Sequence, residues 1–201
     1  MTGKDQTLAE LFDRSLAAAL AKRDLTAGET PPSEEEGRAL FLAGRGRDLL
    51  AAPLPPEALA YLVEGQRRVA DRALQMTYPD AECRWIRRAA VEGESQAESS
   101  QLSPVQAMLV VAQGRDRREL RLVDLVVLPE AQGQGLGRAL VEAVLVLADS
   151  LGVEARLDVH PGNEKARRLY EGLGFQANLG TQGDREMISI PMVRPHGPPQ
   201  A

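Results

Sequence analysis

The residues best suited to chemistry lie between 126 and 144, where the sequence reads VVLPEAQGQGLGRALVEAV. An apolar run predicts a strand that ends at Pro129, and a glycine-rich turn then leads into a predicted helix. Glycines at 133, 135 and 137 leave main-chain N–H groups uncovered by side chains. The start of a helix adds unpaired N–H groups and the positive end of the helix dipole. Together these features predict an anion site of diphosphate size.

Two details of this segment favour a bound anion. Gly135 and Gly137 are poor helix formers, each costing about 1 kcal/mol relative to Ala, and Arg138 has the wrong sign for the start of a helix. The alternative is a tight strand-to-helix turn without a ligand. Neither common nucleotide motif fits. A Walker loop needs Gly-Lys-Ser/Thr, and the dinucleotide fingerprint needs glycine where Arg138 stands.

The spacing does match a different signature. Gln132-Gly133-Gln134-Gly135-Leu136-Gly137 resembles the Gln/Arg-x-x-Gly-x-Gly/Ala motif of GCN5-related N-acetyltransferases, the GNAT superfamily. The later segment LDVHPGNEKARRLYEGLGF resembles the family pattern Asn-x-x-Ala-x-x-Leu-Tyr-x-x-x-Gly-Phe. The residues that carry this second match are Asn163, Ala166, Leu169, Tyr170, Gly174 and Phe175. The resemblance is clear over residues 81–193 and weaker over 38–80.

The resemblance implies acetyl-CoA as co-substrate and no metal. In the family, the pantetheine arm lies along the strand before the glycine loop, and the loop amides hold the diphosphate. The matching residues are Leu125, Val126 and Val127 for the arm, and Gln132, Gly133, Gln134, Gly135, Leu136, Gly137 and Arg138 for the diphosphate. Asn163 matches a residue beside the arm, although a helix N-cap would also explain an asparagine there.

Tyr170 matches the family's general acid, which protonates the departing thiolate. A phenol with a pKa near 10 is protonated at neutral pH and can give its proton to a basic thiolate. The alternative is a core tyrosine with a satisfied hydroxyl, because Tyr170 shares an apolar stripe with Ala166, Leu169 and Leu173.

Three residues are candidates for the general base. Asp158 matches a position where some family members carry a catalytic Glu, and it ranks first. His160 lies on the same face of the predicted strand and has a suitable pKa. Asp124 interrupts an apolar strand and must be hydrogen-bonded or solvent-facing. Each could instead make a structural contact, and proton removal through ordered water needs no named base.

Apolar spacing predicts the elements that position these residues. Helices are predicted over 7–23, 57–75, 136–151 and 163–173, and strands over 81–90, 105–113, 120–128 and 153–160, followed by two more strands. Residues 28–37 fit a linker or a helix start, 38–52 a short strand or a helix start, and 92–104 a mobile hairpin loop. The strand–helix–strand order over 120–160 predicts one parallel strand pair.

The resemblance and the pattern together predict an α+β fold with α/β/α layers. The expected sheet is GNAT-like: mixed, mostly antiparallel, twisted, built of six to seven strands, splayed at its centre and flanked by helices. Residues 1–30 are expected to form an N-terminal helical extension, 31–193 the acetyltransferase domain, and 194–201 a disordered tail. The first strand of the domain is expected within 38–80.

Composition narrows the possible partners. The chain has 201 residues, 43% of them hydrophobic, which is enough for one buried core. Its net charge is −5, and the sequence has no basic stripe interleaved with aromatic residues. We therefore do not expect a nucleic-acid ligand. The pattern shows no secretory leader and no run of about 18 apolar residues, so we expect a cytoplasmic protein without a membrane partner. The single cysteine, Cys83, is expected to be inert.

The predicted function is direct acetyl transfer from acetyl-CoA to a primary amine in a ternary complex. The acceptor is an amine-bearing small molecule or a protein amine, and no motif selects between them. The family resemblance is also compatible with a homodimer. The alternative function is a catalytically silent binding or assembly module of the same fold, which docks a partner through its N-terminal helix.

Overall fold

The computed structural model describes residues 6–46, 49, 53–89, 103–114, 116–178 and 188–197. Within these residues, the helices of eight residues or more are Leu8–Leu20 (α1), Glu34–Gly44 (α2), Pro56–Thr77 (α3), Leu136–Leu151 (α4) and Glu164–Glu171 (α5). The strands are Leu25–Gly28 (β1), Glu82–Arg88 (β2), Val105–Gln113 (β3), Glu119–Val127 (β4), Glu154–Val159 (β5), Gln176–Ala177 (β6) and Ile190–Arg194 (β7). No helix in the described part of the chain is both long and apolar enough to cross a membrane.

The strands form one mixed sheet in the order β1-β2-β3-β4-β5-β7-β6. Every neighbouring pair is antiparallel except β4 and β5, which are parallel and are joined through α4. Helices α1 and α4 pack together on one face, and α2 and α3 cover the other. This arrangement confirms the predicted α+β class and the mixed, mostly antiparallel sheet.

The two central strands separate after a short paired stretch. Strand β4 pairs with β5 only from Glu119 to Leu122, yet β4 continues to Val127. On its β5 side, the β4 backbone beyond Leu122 therefore has no strand partner among the described residues. This free edge lies at the predicted splay and is available to an extended ligand.

A β-bulge in β4 determines which way its later side chains point. Asp124 pairs with Val110 and Leu122 pairs with Val111, so Val123 has no partner. Before the bulge, Leu122 packs into the core beneath α4. After it, Val126 packs toward α2 instead, in the same orientation as Asp124. The extra residue therefore turns Asp124 away from the α4 core.

Helix α4 has glycines in the left-handed conformation at both ends. Gly135 is its N-cap with φ +74°, and Gly152 is its C-cap with φ +68°. Between them, an apolar stripe that includes Leu140, Val144 and Leu147 is fully buried. The predicted helix over 136–151 is confirmed at both ends, because these caps are encoded locally.

The N-terminal segment is part of the core, contrary to the predicted extension over residues 1–30. Phe12, Leu16 and Leu20 of α1 are buried in the main core, and β1 pairs with β2. The first strand among the described residues is therefore β1, and the described part of 38–80 contains no strand. Four residues are too few to show a period of two, so the sequence pattern did not reveal this strand.

Three further expectations are corrected or completed by the structure. Residues 34–44 are a helix, because Ser33 and Glu36 form a capping box at its start. Arg194, assigned to the tail, belongs to β7, where its guanidinium contacts Asp149 at 3.1 Å. Most of the predicted mobile loop, 92–102, and the tail beyond 197 lie outside the described residues.

Arg84 joins α1 to the sheet and is only 1% exposed. Its guanidinium contacts Asp13 at 2.6 Å, Glu82 at 3.0 Å and Glu29 at 3.2 Å. It also lies 5.5 Å from the ring centroid of Phe12. This one cation therefore contacts three carboxylates that come from different parts of the chain.

We expect Arg84→Ala to lower the free energy of unfolding by about 3 kcal/mol. The substitution leaves three carboxylates without their shared cation and opens a void beside Phe12. Chemical denaturation measures the change. Arg68→Ala on α3, where the side chain is 76% exposed, is the control and should cost less than about 0.5 kcal/mol. Equal losses in the two variants would contradict this role for Arg84.

Candidate active site

The glycine loop between β4 and α4 presents uncovered main-chain donors. Gly133 and Gly135 have φ values of +77° and +74°, in the left-handed region that favours glycine. The first helical bond runs from the N–H of Ala139 to the oxygen of Gly135. Among the described residues, no protein oxygen accepts from the N–H groups of residues 133–138. The loop therefore offers a row of free donors at a helix start.

Several carbonyl groups of the same loop are already occupied. The side-chain amide of Gln132 donates to the oxygen of Val127 at 2.9 Å, and that of Gln134 donates to the oxygen of Glu130 at 3.1 Å. Arg23 donates to the oxygen of Gln134 at 2.9 Å. With these acceptors satisfied and the donors free, the loop is suited to an anion.

The remaining loop residues contribute through packing. Leu136 is buried in the core and anchors the first turn of α4. Gly137 is not required by packing, since a Cβ there would make an ordinary contact with Val127 at 3.7 Å. Arg138 pairs with Glu142 at 2.9 Å. That pair offsets the unfavourable charge at this helix end, so Arg138 needs no bound phosphate to explain it.

The side chains of the predicted arm-binding stretch point to both faces of the sheet. Leu125 and Val127 pack toward α4, and Val126 is buried beneath α2. Gly44 of α2 lies so close that a Cβ there would be 2.7 Å from Val126. A ligand along the free edge of β4 would meet the backbone of alternate residues of this stretch, and the oxygen of Val127 already accepts from Gln132.

Tyr170 lies on α5 with its ring edge-on to Phe175, at 5.8 Å between centroids. Burial raises the pKa of Tyr170 to about 12, and the charge of Asp124 acts in the same direction. The phenol is therefore neutral at physiological pH. Among the described residues, no hydrogen bond to the hydroxyl of Tyr170 contributes to this pKa. This argues against the alternative, in which Tyr170 is a core residue whose hydroxyl is hydrogen-bonded within the protein.

Asp124 is the most buried of the three candidate bases. Its Oδ2 accepts a hydrogen bond from Arg45 Nη2 at 2.8 Å. Asp124 also borders a cavity between the sheet and helices α2 and α3. Burial raises the pKa of Asp124, and Arg45 partly opposes that rise. Its charge also reaches Tyr170. Of the three candidates, Asp124 is the one that the structure brings together with the candidate acid.

Asp158 and His160 lie in other surroundings. Asp158 is half-exposed and accepts a hydrogen bond from Arg121 in a surface ion network. His160 is exposed, and its Nδ1 accepts from the N–H of Gly162 at 3.1 Å. Asn163 caps α5 through a bond from the N–H of Ala166 at 3.2 Å. Asp158, His160 and Asn163 therefore each make a structural contact. Such a contact was the alternative to a catalytic or cofactor-binding role when these residues were considered from the sequence.

A cavity of about 530 Å³ opens between the sheet and helices α2 and α3. Its walls are mainly apolar and aromatic, with two carboxylates and two guanidinium groups among them. The apolar and charged side chains of its walls include Phe41, Trp85, Met108, Asp71, Asp124, Arg45 and Arg67. This size and lining are typical of a small-molecule site. Sequence spacing gave no sign of it, because it is built from five separate elements.

Cys83 also lines this cavity. Burial raises the pKa of its thiol to about 12, so the thiol stays protonated near neutral pH. That protonation state agrees with the expected inert cysteine. Among the described residues, no three His, Cys, Asp or Glu side chains are grouped so that they could hold a metal ion.

The fold and the donor-lined loop together define a class of acyl-transfer enzyme, and comparisons with known proteins agree. The Acetyltransferase (GNAT) family matches residues 56–175, which is more than half of the chain. The chain therefore belongs to the GNAT family and is an N-acetyltransferase by class.

Three solved structures share the fold. PaiA N-acetyltransferase from Thermoplasma acidophilum, solved with coenzyme A, is 15% identical with a TM-score of 0.51, covering 86% of this chain and 99% of that one. Ard1 from Thermoplasma volcanium is 18% identical with a TM-score of 0.53, covering 87% and 99%. The ribosomal-protein-S18-alanine N-acetyltransferase from Escherichia coli is 21% identical with a TM-score of 0.50, covering 85% and 93%.

Proposed function

We propose that this protein transfers an acetyl group from acetyl-CoA directly to a primary amine. The observation that carries the proposal is the row of free N–H donors over residues 133–138, next to a β4 edge without a strand partner. The donors suit a diphosphate, and the edge suits an extended arm with amide groups of its own. Acetyl-CoA has both parts in one molecule and supplies the activated thioester.

The acid in this proposal is Tyr170. Its buried phenol holds a proton at physiological pH and has an oxygen without a described hydrogen-bond partner. A neutral donor of this kind can protonate a thiolate as it leaves. The likeness to the coenzyme A complex of PaiA N-acetyltransferase supports this use of the fold.

The base in this proposal is Asp124, in place of the higher-ranked Asp158. Asp124 borders the cavity where an acceptor would bind, whereas Asp158 is held by Arg121. A carboxylate with a raised pKa is a better proton acceptor than an ordinary one. Arg45 opposes that rise through its charge and its hydrogen bond.

The acceptor in this proposal is a molecule whose primary amine is attached to an apolar or aromatic group. Phe41, Trp85 and Met108 provide the apolar surface of the cavity, and Asp71 and Asp124 can attract an ammonium group. Arg45 and Arg67 balance the two carboxylates in charge, so the cavity is not built for a polycation. A cavity of about 530 Å³ suits a small molecule or the first residues of a peptide.

The silent-module alternative depended on the N-terminal helix being free to dock a partner. In the structure, Phe12, Leu16 and Leu20 are buried against the rest of the protein. The apolar face of α1 is thus already covered, and the surface that motivated the alternative is not available. This supports the enzymatic proposal over the binding module.

Two measurements test the proposal. Isothermal titration with acetyl-CoA should give saturable binding, and no binding at millimolar ligand would overturn it. Release of the CoA thiol should then be followed with matched amines, for example phenethylamine, spermidine and a short peptide. We expect the arylalkylamine to be turned over fastest. Turnover of spermidine alone would contradict the apolar acceptor, and binding without turnover of any amine would favour the silent module.

We expect Arg45→Ala to move the acid limb of the pH–rate profile to higher pH. Without the guanidinium at 2.8 Å, only the backbone hydrogen bond from Leu125 still opposes burial, so the pKa of Asp124 rises further. A base must be deprotonated to work, so the variant needs a higher pH than the wild type to reach the same fraction of its maximal activity. Measuring kcat/KM against pH tests this, with Arg67→Ala as the control from the same cavity. An unshifted profile with a uniform loss would contradict Asp124 as the base.

A further inference from the structure

The N-terminal segment reaches the glycine loop through one side chain. Arg23 lies in the turn between α1 and β1, outside the residues matched by the family. Its Nη1 donates to the main-chain oxygen of Gln134 at 2.9 Å, across 111 residues of sequence. Its Nη2 lies 3.4 Å from where a Cβ would stand at Gly135. The guanidinium therefore rests against the peptide that joins residues 134 and 135.

This contact determines where the amide of that peptide points. The C=O and N–H of a trans peptide point in opposite directions. Because Arg23 holds the oxygen of Gln134, the N–H of Gly135 is turned away from Arg23, and it is free among the described residues. Glycines on both sides of residue 134 could otherwise let this peptide rotate, since glycine is conformationally permissive.

The helix before Arg23 fixes its position. Leu16 and Leu20 of α1 are buried, and α1 packs along α4, which begins at the glycine loop. The turn that carries Arg23 is thus held at a constant distance from the loop by the protein core. This arrangement gives the N-terminal helix a definite role at the site, which the sequence did not reveal.

We propose that Arg23 is a cofactor-positioning residue: it holds the 134–135 peptide with its amide directed to the diphosphate of acetyl-CoA. The inference rests on the proposed acetyl-CoA site and goes beyond the family's loop motif. The positive charge of Arg23 beside the loop adds a favourable field for the same anion.

The test compares two ligands that share the thioester arm and differ in the diphosphate. Acetyl-CoA carries the diphosphate and S-acetylpantetheine does not, and titration calorimetry measures the Kd of each. We expect Arg23→Ala to raise the Kd for acetyl-CoA about fivefold to tenfold, the effect of losing one solvent-exposed hydrogen bond of ordinary strength. The Kd for S-acetylpantetheine should stay within twofold of the wild type.

Two further variants sharpen the comparison. Lys22→Ala removes the neighbouring exposed cation and should leave both affinities unchanged. Arg23→Lys keeps a charge and a donor and should recover part of the lost acetyl-CoA affinity. If Arg23→Ala does not fold, Arg23→Lys and Arg23→Gln are compared with the same two ligands.

The outcomes separate the two proposals. Unchanged acetyl-CoA affinity in Arg23→Ala, with tight binding by the wild type, would overturn the role of Arg23 alone. Equal losses for both ligands would also overturn it, because the effect would then not depend on the diphosphate. Failure of the wild type to bind acetyl-CoA would overturn the proposed function and this inference together.

Discussion

Gly135→Asp is expected to abolish acetyl-CoA binding, raising the Kd at least about 100-fold, which corresponds to about 2.7 kcal/mol. Gly135 has φ +74°, a conformation that costs a residue with a Cβ about 1 kcal/mol. Aspartate also places a negative charge among the free N–H groups of residues 133–138, where it competes with the diphosphate. Titration calorimetry with acetyl-CoA measures the loss.

The matched control for this variant is Gly152→Asp. Gly152 has φ +68° at the other end of the same helix, and a Cβ there would meet nothing within 4 Å. It therefore reproduces the backbone strain without touching the loop. We expect it to lower stability while the Kd for acetyl-CoA stays within twofold. A Gly135→Asp variant that binds as well as Gly152→Asp would remove the loop from the cofactor site.

Tyr170→Phe is the second variant with a large expected effect, a fall in kcat of about 100-fold to 1,000-fold. The phenol is a neutral proton donor whose pKa is also raised by the charge of Asp124, and phenylalanine keeps the ring against Phe175. The Kd for acetyl-CoA should be unchanged, since the hydroxyl is not part of the diphosphate site. Steady-state kinetics and titration calorimetry separate the two quantities.

Tyr61→Phe is the control for Tyr170→Phe. Tyr61 is 86% exposed on α3, so losing its hydroxyl should leave kcat unaltered. Because burial raises the pKa of Tyr170 to about 12, the wild type should show no alkaline loss of rate from this phenol below about pH 10. A Tyr170→Phe enzyme with wild-type kcat would mean that another group, or water, protonates the thiolate.

The sequence alone predicted the parts of the site that depend on neighbouring residues. The glycine-rich turn over 133–137, the helix that follows it and the side-chain cap of Asn163 all depend on interactions within a few residues of chain. Such features are encoded by residue type and spacing, and so the loop, the helix after it and the overall fold class were predictable. The strand Leu25–Gly28 was not, because four residues show no periodicity.

Only the tertiary structure decided which charged groups meet at the site. Arg45 reaches Asp124 across 79 residues and Arg23 reaches Gln134 across 111, and no local pattern encodes such contacts. The bulge at Val123 is the clearest case. Without the extra residue, strict alternation along β4 would point Asp124 into the apolar core with Leu122. With the extra residue, Asp124 borders the cavity between the sheet and helices α2 and α3. Register is a property of paired strands. The sequence of β4 alone could therefore identify Asp124 as a candidate, but it could not show to which face of the sheet its side chain points.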